Sequence, residues 1–162
     1  MKQYGCIGKK LTHSFSKEIH AKIADYDYEL IELTEEEIAP FFAKRDFAAI
    51  NVTIPYKQTV IPYLDSISPV AQRIGAVNTI VNKDGKLYGY NTDYYGMKAL
   101  VERVGIDLKG RKVLILGTGG TSKTAQVLAA VWVQQRFLLS AETRRKHILP
   151  IKKLSVTTAM LT

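Results

Sequence analysis

The sequence predicts an α/β fold: a mainly parallel open sheet flanked by helices, followed by an incomplete Rossmann-type segment. Two observations predict this class. Short strand-like runs alternate with helical runs through the first two thirds of the chain, an alternation typical of parallel sheets with helical connections. Further along, a short apolar strand runs directly into a glycine-rich turn and then into a helical stretch, which is the start of a dinucleotide-binding unit.

The alternating elements begin at the N-terminus. Strands are predicted over Gln3–Ile7, Tyr28–Leu33 and Ala48–Ile54, and the last of these is rich in β-branched residues. Helices are predicted between them, over Ser16–Ala24 and Glu35–Ala43. The order strand, helix, strand, helix, strand favours parallel pairing in the first part of the sheet.

Two local signals refine this pattern. Thr34 followed three residues later by Glu37 is a capping box, which fixes the start of the second helix. The runs Val77–Val81 and Lys86–Tyr90 flank the tetrapeptide 82–85, Asn-Lys-Asp-Gly, whose residues favour a tight hairpin turn. The sequence therefore predicts one antiparallel pair within the sheet.

A longer helix and a last strand complete the predicted elements. The helix is expected to begin with Asp93 as its N-cap and to run to about Val104, where Gly105 ends it. After a polar link comes a buried-type strand, Lys112–Leu116, and a helix is predicted from Thr121. We therefore predict a catalytic domain over 1–105, the first elements of a cofactor domain over 106–130, and an atypical tail over 131–162.

Charge and composition exclude several classes of protein. The net charge of +8 is uneven, because residues 131–162 contain six Lys or Arg but only one acidic residue. A near-balanced body with a basic tail makes nucleic acid an improbable partner. Cys6 is the only cysteine, so no internal disulfide is possible. No segment has the pattern of a signal peptide or of a membrane span, and we expect a cytoplasmic protein without a membrane partner.

The glycine turn is the first candidate binding feature. Residues 117–120 read Gly-Thr-Gly-Gly between a strand and a helix. In a dinucleotide site the first glycine permits the turn, the second lets the backbone approach the pyrophosphate, and the helix N-terminus supplies N–H donors. Ser122 stands where the strict pattern has a third glycine. A glycine-rich turn without any ligand is the alternative.

Four polar clusters follow strands or turns in the first domain, where open α/β sheets bind ligands. They are Thr12-His13-Ser14-Phe15-Ser16, Asn51-Val52-Thr53-Ile54-Pro55-Tyr56-Lys57, Gly75-Ala76-Val77-Asn78-Thr79 and Gly89-Tyr90-Asn91-Thr92-Asp93. Each has a plain structural alternative: the serines and Asp93 as helix caps, and Lys57 as a solvated surface lysine. Four such clusters in one small domain favour a site.

In this order and at these intervals, the four clusters resemble the motifs of the shikimate dehydrogenase family. The second cluster matches the family's Asn-Val-Thr-x-Pro-x-Lys motif at every specified position, and the first resembles its paired-serine motif. The glycine turn, followed by Ser122-Lys123-Thr124-Ala125, resembles the family's cofactor turn, which itself lacks the third glycine. The resemblance covers about residues 3–130.

The resemblance implies a function and a set of residues. The family reversibly reduces 3-dehydroshikimate to shikimate with NADPH, a step of chorismate and aromatic amino-acid biosynthesis, and it needs no metal. A lysine and an aspartate carry the catalysis, here Lys57 and Asp93. The substrate-binding positions correspond to Ser14, Ser16, Asn51, Thr53, Lys57, Asn78 and Asp93. The NADP-binding positions correspond to Gly117, Gly119, Gly120 and Thr121.

The family pattern stops at about residue 130. All eleven glycines lie in the first 120 residues, and the basic loop that would read the NADP ribose phosphate is not recognisable. We hypothesise a frameshift near residue 130, which fails if the other frames of the coding DNA hold no continuation of a cofactor domain. A genuine short variant whose basic tail binds nucleic acid or an acidic partner is the alternative. A non-catalytic shikimate-binding fragment and a quinate-preferring relative also stay open, as does the oligomeric state.

Overall fold

The computed structural model describes residues 3–117, 119–133 and 137–140. The chain divides into two compact units, Met1–Thr92 and Asp93–Thr162. The domain division predicted from the sequence falls at residue 105, after the helix that begins with Asp93, and it stays a prediction. In the structure that helix belongs to the second unit.

The first unit is built on a six-stranded sheet. Its strands are β1 (Gln3–Gly8), β2 (Tyr28–Glu32), β3 (Phe47–Val52), β4 (Ser66–Ile67), β5 (Thr79–Lys83) and β6 (Lys86–Tyr90), in the spatial order β2-β1-β3-β5-β6-β4. The helices are α1 (Ser16–Ile23), α2 (Glu35–Lys44) and α3 (Pro69–Ile74), with a short 3-10 turn at Ile61–Tyr63. β1 pairs in parallel with β2 and β3, whereas β5 is antiparallel to both of its neighbours. The α/β class with a mainly parallel sheet is confirmed.

One face of this sheet forms the main hydrophobic core. Ile7, Ile50 and Ile80 lie on that face in adjacent strands, and each is at most 1% exposed. Ile38 and Phe42 of α2 pack against them. Strand side chains alternate between the two faces, and these residues therefore bury one face almost completely. A one-residue register shift between β1 and β3 next to Tyr4 keeps Phe47 in the same core.

The opposite face carries a smaller cluster under α1. Cys6, Leu11 and Tyr28 are its buried members, with Leu30 packed beside them. The strand register places Cys6 beside Leu30 on one side and beside Asn51 on the other. This face is therefore apolar near β2 and becomes polar where β3 meets β5.

The local signals in the sequence form as predicted. The capping box at Thr34 and Glu37 is present at the start of α2. The β5–β6 hairpin turns through Asp84 and Gly85, which have positive φ values of 52° and 81°, as a tight type I′-like turn requires. The sequence analysis missed α3, although Ser68 caps it, Pro69 opens it and Gly75 ends it in the left-handed conformation. Only six residues long, α3 offers too few turns for a helical periodicity to be recognised.

The second unit contains α4 (Asp93–Arg103), β7 (Val113–Leu116), α5 (Gly120–Val133) and β8 (Phe137–Ser140). β7 and β8 pair in parallel, and with α5 between them they form a strand–helix–strand unit. β8 and the last residues of α5 fall within 131–162, the range predicted as the tail. Residues 134–136 and 141–162 of the predicted tail lie outside the described residues. Among the described helices, none is long and apolar enough to span a membrane.

Gly5 provides a direct test of the close approach between β1 and β2. A Cβ atom built on Gly5 would lie 2.5 Å from the backbone oxygen of Glu29, its partner across the strands. We expect Gly5→Ala to lower the free energy of unfolding by about 1–3 kcal/mol, because the strands must separate to admit the methyl group.

Gly96→Ala is the matched control for this variant in urea unfolding. It adds the same methyl group to α4, where nothing lies within 4 Å. We expect it to be neutral or to stabilise by about 0.5–1 kcal/mol, since alanine is the better helix former. Equal effects of the two substitutions would contradict the close approach at Gly5.

Asp65 makes the stability of the first unit depend on pH. Its carboxylate accepts the Leu87 N–H at 2.7 Å and pairs with Arg45 at 2.8 Å. The Leu87 hydrogen bond, and next the bond to Arg45, lower the pKa of Asp65 in the folded protein, while desolvation opposes them. A group whose pKa is lowered on folding stabilises the protein above its unfolded pKa and loses that contribution as the pH falls through its folded pKa.

We therefore expect Asp65→Asn to be less stable than the wild type at pH 7, with a difference that shrinks below about pH 4. Urea unfolding between pH 7 and acid pH measures this. Arg45→Gln should keep part of the pH dependence, because the Leu87 hydrogen bond, the largest single cause of the lowered pKa, remains. A difference between wild type and Asp65→Asn that does not change with pH would contradict this account.

Candidate functional site

Strand direction brings the four polar clusters to one edge of the sheet. β1 and β3 are parallel, so the loops that follow Gly8 and Val52 leave at the same edge. β5 is antiparallel to β3, which brings its first residues, preceded by Asn78, to that edge. β6 reverses once more, so the residues after Tyr90 return there. The convergence that the sequence predicts therefore follows from the strand order.

The paired serines form a small hydrogen-bonded unit where the chain enters α1. The Ser14 N–H donates to the Leu11 carbonyl at 2.9 Å, and the Ser14 hydroxyl donates to that of Ser16 at 3.1 Å. Phe15 occupies the N-cap position, and no side-chain cap bond is formed there. Helix capping therefore does not account for both hydroxyls, although the Ser16 N–H does donate to the Ser14 oxygen at 3.3 Å.

A cavity of about 460 Å³ joins the first two clusters. Its lining is formed by Cys6, Lys10, Leu11, Thr12, His13, Ser14, Ser16 and Thr53. Thr53 is held in place by its N–H, which donates to the Ile7 carbonyl at 3.0 Å. The volume suits a small molecule, and the two serines and Thr53 offer it three hydroxyls.

Asn51 and Thr79 meet across the antiparallel pair of β3 and β5. They are partners in the strand register and therefore share the face that carries Cys6. The Asn51 amide nitrogen donates to the Thr79 hydroxyl at 3.3 Å and more weakly to the Asn78 carbonyl at 3.5 Å. Both side chains are partly exposed, so a ligand can reach them.

Asn78 connects the third and fourth clusters. It is only 8% exposed. Its side-chain oxygen accepts the Thr92 N–H at 2.8 Å, and its amide nitrogen donates to the Thr92 hydroxyl at 2.9 Å. The Thr79 hydroxyl donates to the same Asn78 oxygen at 3.2 Å. Because a buried amide must be satisfied by hydrogen bonds, this network fixes the chain as it leaves β6.

Lys57 lies in the turn after β3, and its side chain is partly exposed. Its carbonyl accepts the Val77 N–H at 2.7 Å, which ties the second cluster to the third. Burial raises the pKa of the Cys6 thiol, whereas a hydrogen bond with Tyr28 and the positive charge of Lys57 oppose this shift. The positive charge of Lys57 therefore acts on the Cys6 thiol, which lines the cavity.

Tyr28 is a residue of this site that the sequence analysis did not identify. Its hydroxyl donates to the Asn51 side-chain oxygen at 2.7 Å. Burial and the neighbouring Cys6 raise the pKa of the Tyr28 phenol, and a hydrogen bond with Ser16 opposes them. A tyrosine at the start of a strand is a common residue with no motif around it, so no sequence signal marked it.

The remaining predicted residues lie in the second unit. Asp93 is the first residue of α4, and Gly105, with a φ of 68°, follows the end of that helix. Lys57 belongs to the first unit and Asp93 to the second, and the predicted pairing of the two stays a prediction.

In the glycine turn, the backbone is described at Gly117, Gly119 and Gly120. Gly117 has a φ of 107°, a conformation that other residues rarely adopt, and a Cβ atom at Gly119 would meet nothing within 4 Å. Gly120 opens α5, and Thr121 follows it in an exposed position. Ser122 is buried and donates its hydroxyl to the Gly119 carbonyl at 2.6 Å. Ser122 therefore closes the turn with a side chain at the position where the strict pattern has a third glycine.

A larger cavity lies away from all predicted site residues. It measures about 840 Å³, and Asp25, Asp27, Glu29 and Asp46 contribute carboxylates to its lining. An anionic ligand would be repelled there. The smaller cavity, lined by Ser14 and Ser16, offers hydroxyl donors near the positive charge of Lys57. It therefore suits a ligand that carries a carboxylate better than the acidic cavity does.

Comparison with known proteins agrees with this geometry. Residues 6–80 match the family model described as the shikimate dehydrogenase substrate binding domain. The NADP(+) shikimate dehydrogenase of Clostridium perfringens strain SM101 is 46% identical over 132 residues, which cover 76% of this chain and 49% of that protein. The chain thus spans about half the length of this relative.

Solved structures extend the agreement to the fold. The crystal structure of shikimate dehydrogenase 1 from Peptoclostridium difficile matches with a TM-score of 0.82 and 37% identity, over 92% of this chain and 58% of that one. The Thermus thermophilus shikimate 5-dehydrogenase, solved with NADP(H) and shikimate, matches with a TM-score of 0.73 and 33% identity, over 86% of this chain and 55% of that one. In sequence and in fold, most of this chain is similar to shikimate dehydrogenases.

Proposed function

We propose that this chain binds shikimate and 3-dehydroshikimate at the edge where the four clusters meet, and that it acts in their NADP-dependent interconversion. The observation that carries the proposal is the convergence of Ser14, Ser16, Asn51, Thr53 and Asn78 at one edge of one sheet, beside the charge of Lys57. Relatives of the same fold have been solved with shikimate bound.

The side chains suit a hydroxylated ring acid. The hydroxyls of Ser14 and Ser16 lie together and would both donate to the substrate carboxylate. Thr53 lines the same cavity, while Asn51 and Asn78 bring amides that both donate and accept. Ring hydroxyls would meet these groups. An analogue that lacks one of them should bind much more weakly, because a polar group of the site would be left without a partner.

Ketone reduction requires a hydride at carbon and a proton at the developing alkoxide oxygen. The nicotinamide, when bound, supplies or accepts the hydride. Lys57 would stabilise the alkoxide through its positive charge and hand it a proton. Asp93 would hold the lysine and accept a hydrogen bond from a substrate hydroxyl. In the reverse direction, Lys57 would receive the proton as shikimate is oxidised.

The glycine turn fits the pyrophosphate of a dinucleotide. The positive φ of Gly117 and the open space at Gly119 let the backbone approach a phosphate closely. The first turn of α5 carries no acidic side chain, so the positive end of its dipole is not offset there. Gly117, Gly119, Gly120 and Thr121 are the residues that would hold NADP. The cytoplasmic location predicted from the sequence stays a prediction.

Two measurements on the purified chain test the proposal. Thermal unfolding with and without shikimate reports binding, because a ligand at one hundred times its Kd stabilises the native state by about 2.7 kcal/mol. NADP-dependent oxidation of shikimate reports turnover. A shift with turnover supports the full proposal, and a shift without turnover supports a binding fragment only. The absence of a shift at millimolar shikimate would contradict the proposed site, and a larger shift with quinate would reassign its ligand.

Substitution of Lys57 tests the catalytic assignment. We expect Lys57→Ala to abolish the oxidation of shikimate, since the proton and the charge at the reacting oxygen are lost, while its unfolding temperature without ligand stays close to that of the wild type. Lys86→Ala is the matched control, because Lys86 is an exposed lysine at the β5–β6 hairpin, at the opposite edge of the sheet. It should keep wild-type turnover. Near-normal turnover in Lys57→Ala would remove the assignment.

A further inference from the structure

Tyr28 is a buried phenol in contact with the candidate site, although it lies in none of the four clusters. It opens β2 and is 5% exposed. Its hydroxyl reaches Asn51 of β3 at 2.7 Å, across the intervening strand β1. The phenol also forms hydrogen bonds with Ser16 and Cys6. Its short hydrogen bond across β1 restricts the position of the Asn51 side chain.

The Tyr28 ring itself is held rigidly. The imidazole of His20 stacks on it, with ring centroids 3.9 Å apart and an interplanar angle of 14°. His20 is in turn hydrogen-bonded to the Tyr26 hydroxyl. Cys6 and Leu11 complete the buried cluster around the phenol. Few rotamers are therefore open to Tyr28, and its hydroxyl is presented at a fixed point.

The orientation of the Asn51 carboxamide can be read from its hydrogen bonds. The Asn51 oxygen accepts from Tyr28 at 2.7 Å, whereas the bonds from its nitrogen to Thr79 and to the Asn78 carbonyl are longer, at 3.3 and 3.5 Å. The Asn78 carbonyl can only accept, so the carboxamide turns its nitrogen towards β5 and its oxygen towards the Tyr28 hydroxyl, which donates to it. A flipped amide would place its oxygen against the Asn78 carbonyl, where two acceptors repel each other.

We propose that Tyr28 is a positioning residue, which holds the Asn51 carboxamide with its oxygen towards β2 and its nitrogen towards β5. This inference rests on the proposed function of the site. With both nitrogen protons directed at β5, Asn51 offers the ligand the second lone pair of its oxygen. Asn51 therefore accepts a hydrogen bond from a ring hydroxyl and selects a ligand that can donate at that point.

Tyr28→Phe removes only the hydroxyl and therefore tests the proposal. We expect the Kd for shikimate, measured by calorimetry, to rise about tenfold, the equivalent of one lost hydrogen bond of about 1.4 kcal/mol. Tyr63→Phe is the control, because Tyr63 packs against the main hydrophobic core and belongs to none of the four clusters. It should keep its affinity.

A double-mutant cycle distinguishes positioning from direct contact with the ligand. In an Asn51→Ala background, Tyr28→Phe should change the Kd less than twofold, because the group that it orients is gone. A full tenfold effect in that background, or an unchanged Kd in Tyr28→Phe alone, would overturn the proposal.

The NMR signals of the Asn51 side-chain amide make the test independent of shikimate. Tyr28→Phe should shift them in the protein without ligand, and Asn51→Ala identifies them by their disappearance. If the wild type binds no shikimate but the amide signals shift, the proposed function fails and the orientation of Asn51 by Tyr28 stands. Signals that do not move would contradict the orientation itself.

Discussion

The antiparallel insertion of β5 between β3 and β6 is the constraint on which the site depends. β1 and β3 run in parallel and deliver their C-terminal loops to one edge. Without a reversal, the segment that carries Asn78 would enter the sheet at the opposite edge. Because β5 runs against β3, with Asn51 opposite Thr79, Asn78 precedes β5 at the same edge, and β6 returns Asn91 and Thr92 there. Four separate segments of the chain are thereby brought to one edge of the sheet.

One face of the sheet forms the hydrophobic core, and the other face carries the candidate binding residues. The face that carries Ile7, Ile50 and Ile80 is closed by α2 and contains most of the buried apolar side chains. The other face carries Cys6, Tyr28 and Asn51. It is apolar near β2 and becomes polar where β3 meets β5. The core residues alternate with the site residues along β3, where Ile50 and Val52 flank Asn51. A rigid core thus fixes the position of Asn51 with little freedom, as a preorganised site requires.

Much of this arrangement could be predicted from the sequence. The positions of β1, β2, β3, α1 and α2 follow from periodicity, the capping box and β-branched residues. The clusters around Ser14, Asn51 and Asn78 are recognisable because each concentrates polar residues at a strand end. Their convergence could be inferred from the predicted sheet, since strand direction follows from the hairpin and the helical connections.

Other features depend on contacts between residues distant in the chain. Tyr28 reaches Asn51 across β1, over a separation of 23 residues, and no local pattern encodes such a contact. α3 is too short for its periodicity to be read. The hydrogen bond from the Ser122 hydroxyl to the Gly119 carbonyl depends on the geometry of the turn. From the sequence, it could be predicted only that Ser122 replaces the third glycine of the strict pattern. The pairing of Lys57 with Asp93 involves residues of two separate units and is still an inference from the family.

We propose that four segments at one edge of the sheet form a single site for shikimate. Backbone amide shifts, followed by NMR during a titration with shikimate, test this proposal. We expect the perturbed amides to cluster at 14–16, 51–57, 76–79 and 91–92 and to saturate with one common Kd. Perturbations confined to the acidic cavity around Asp25 and Glu29, or different Kd values for the four segments, would contradict it.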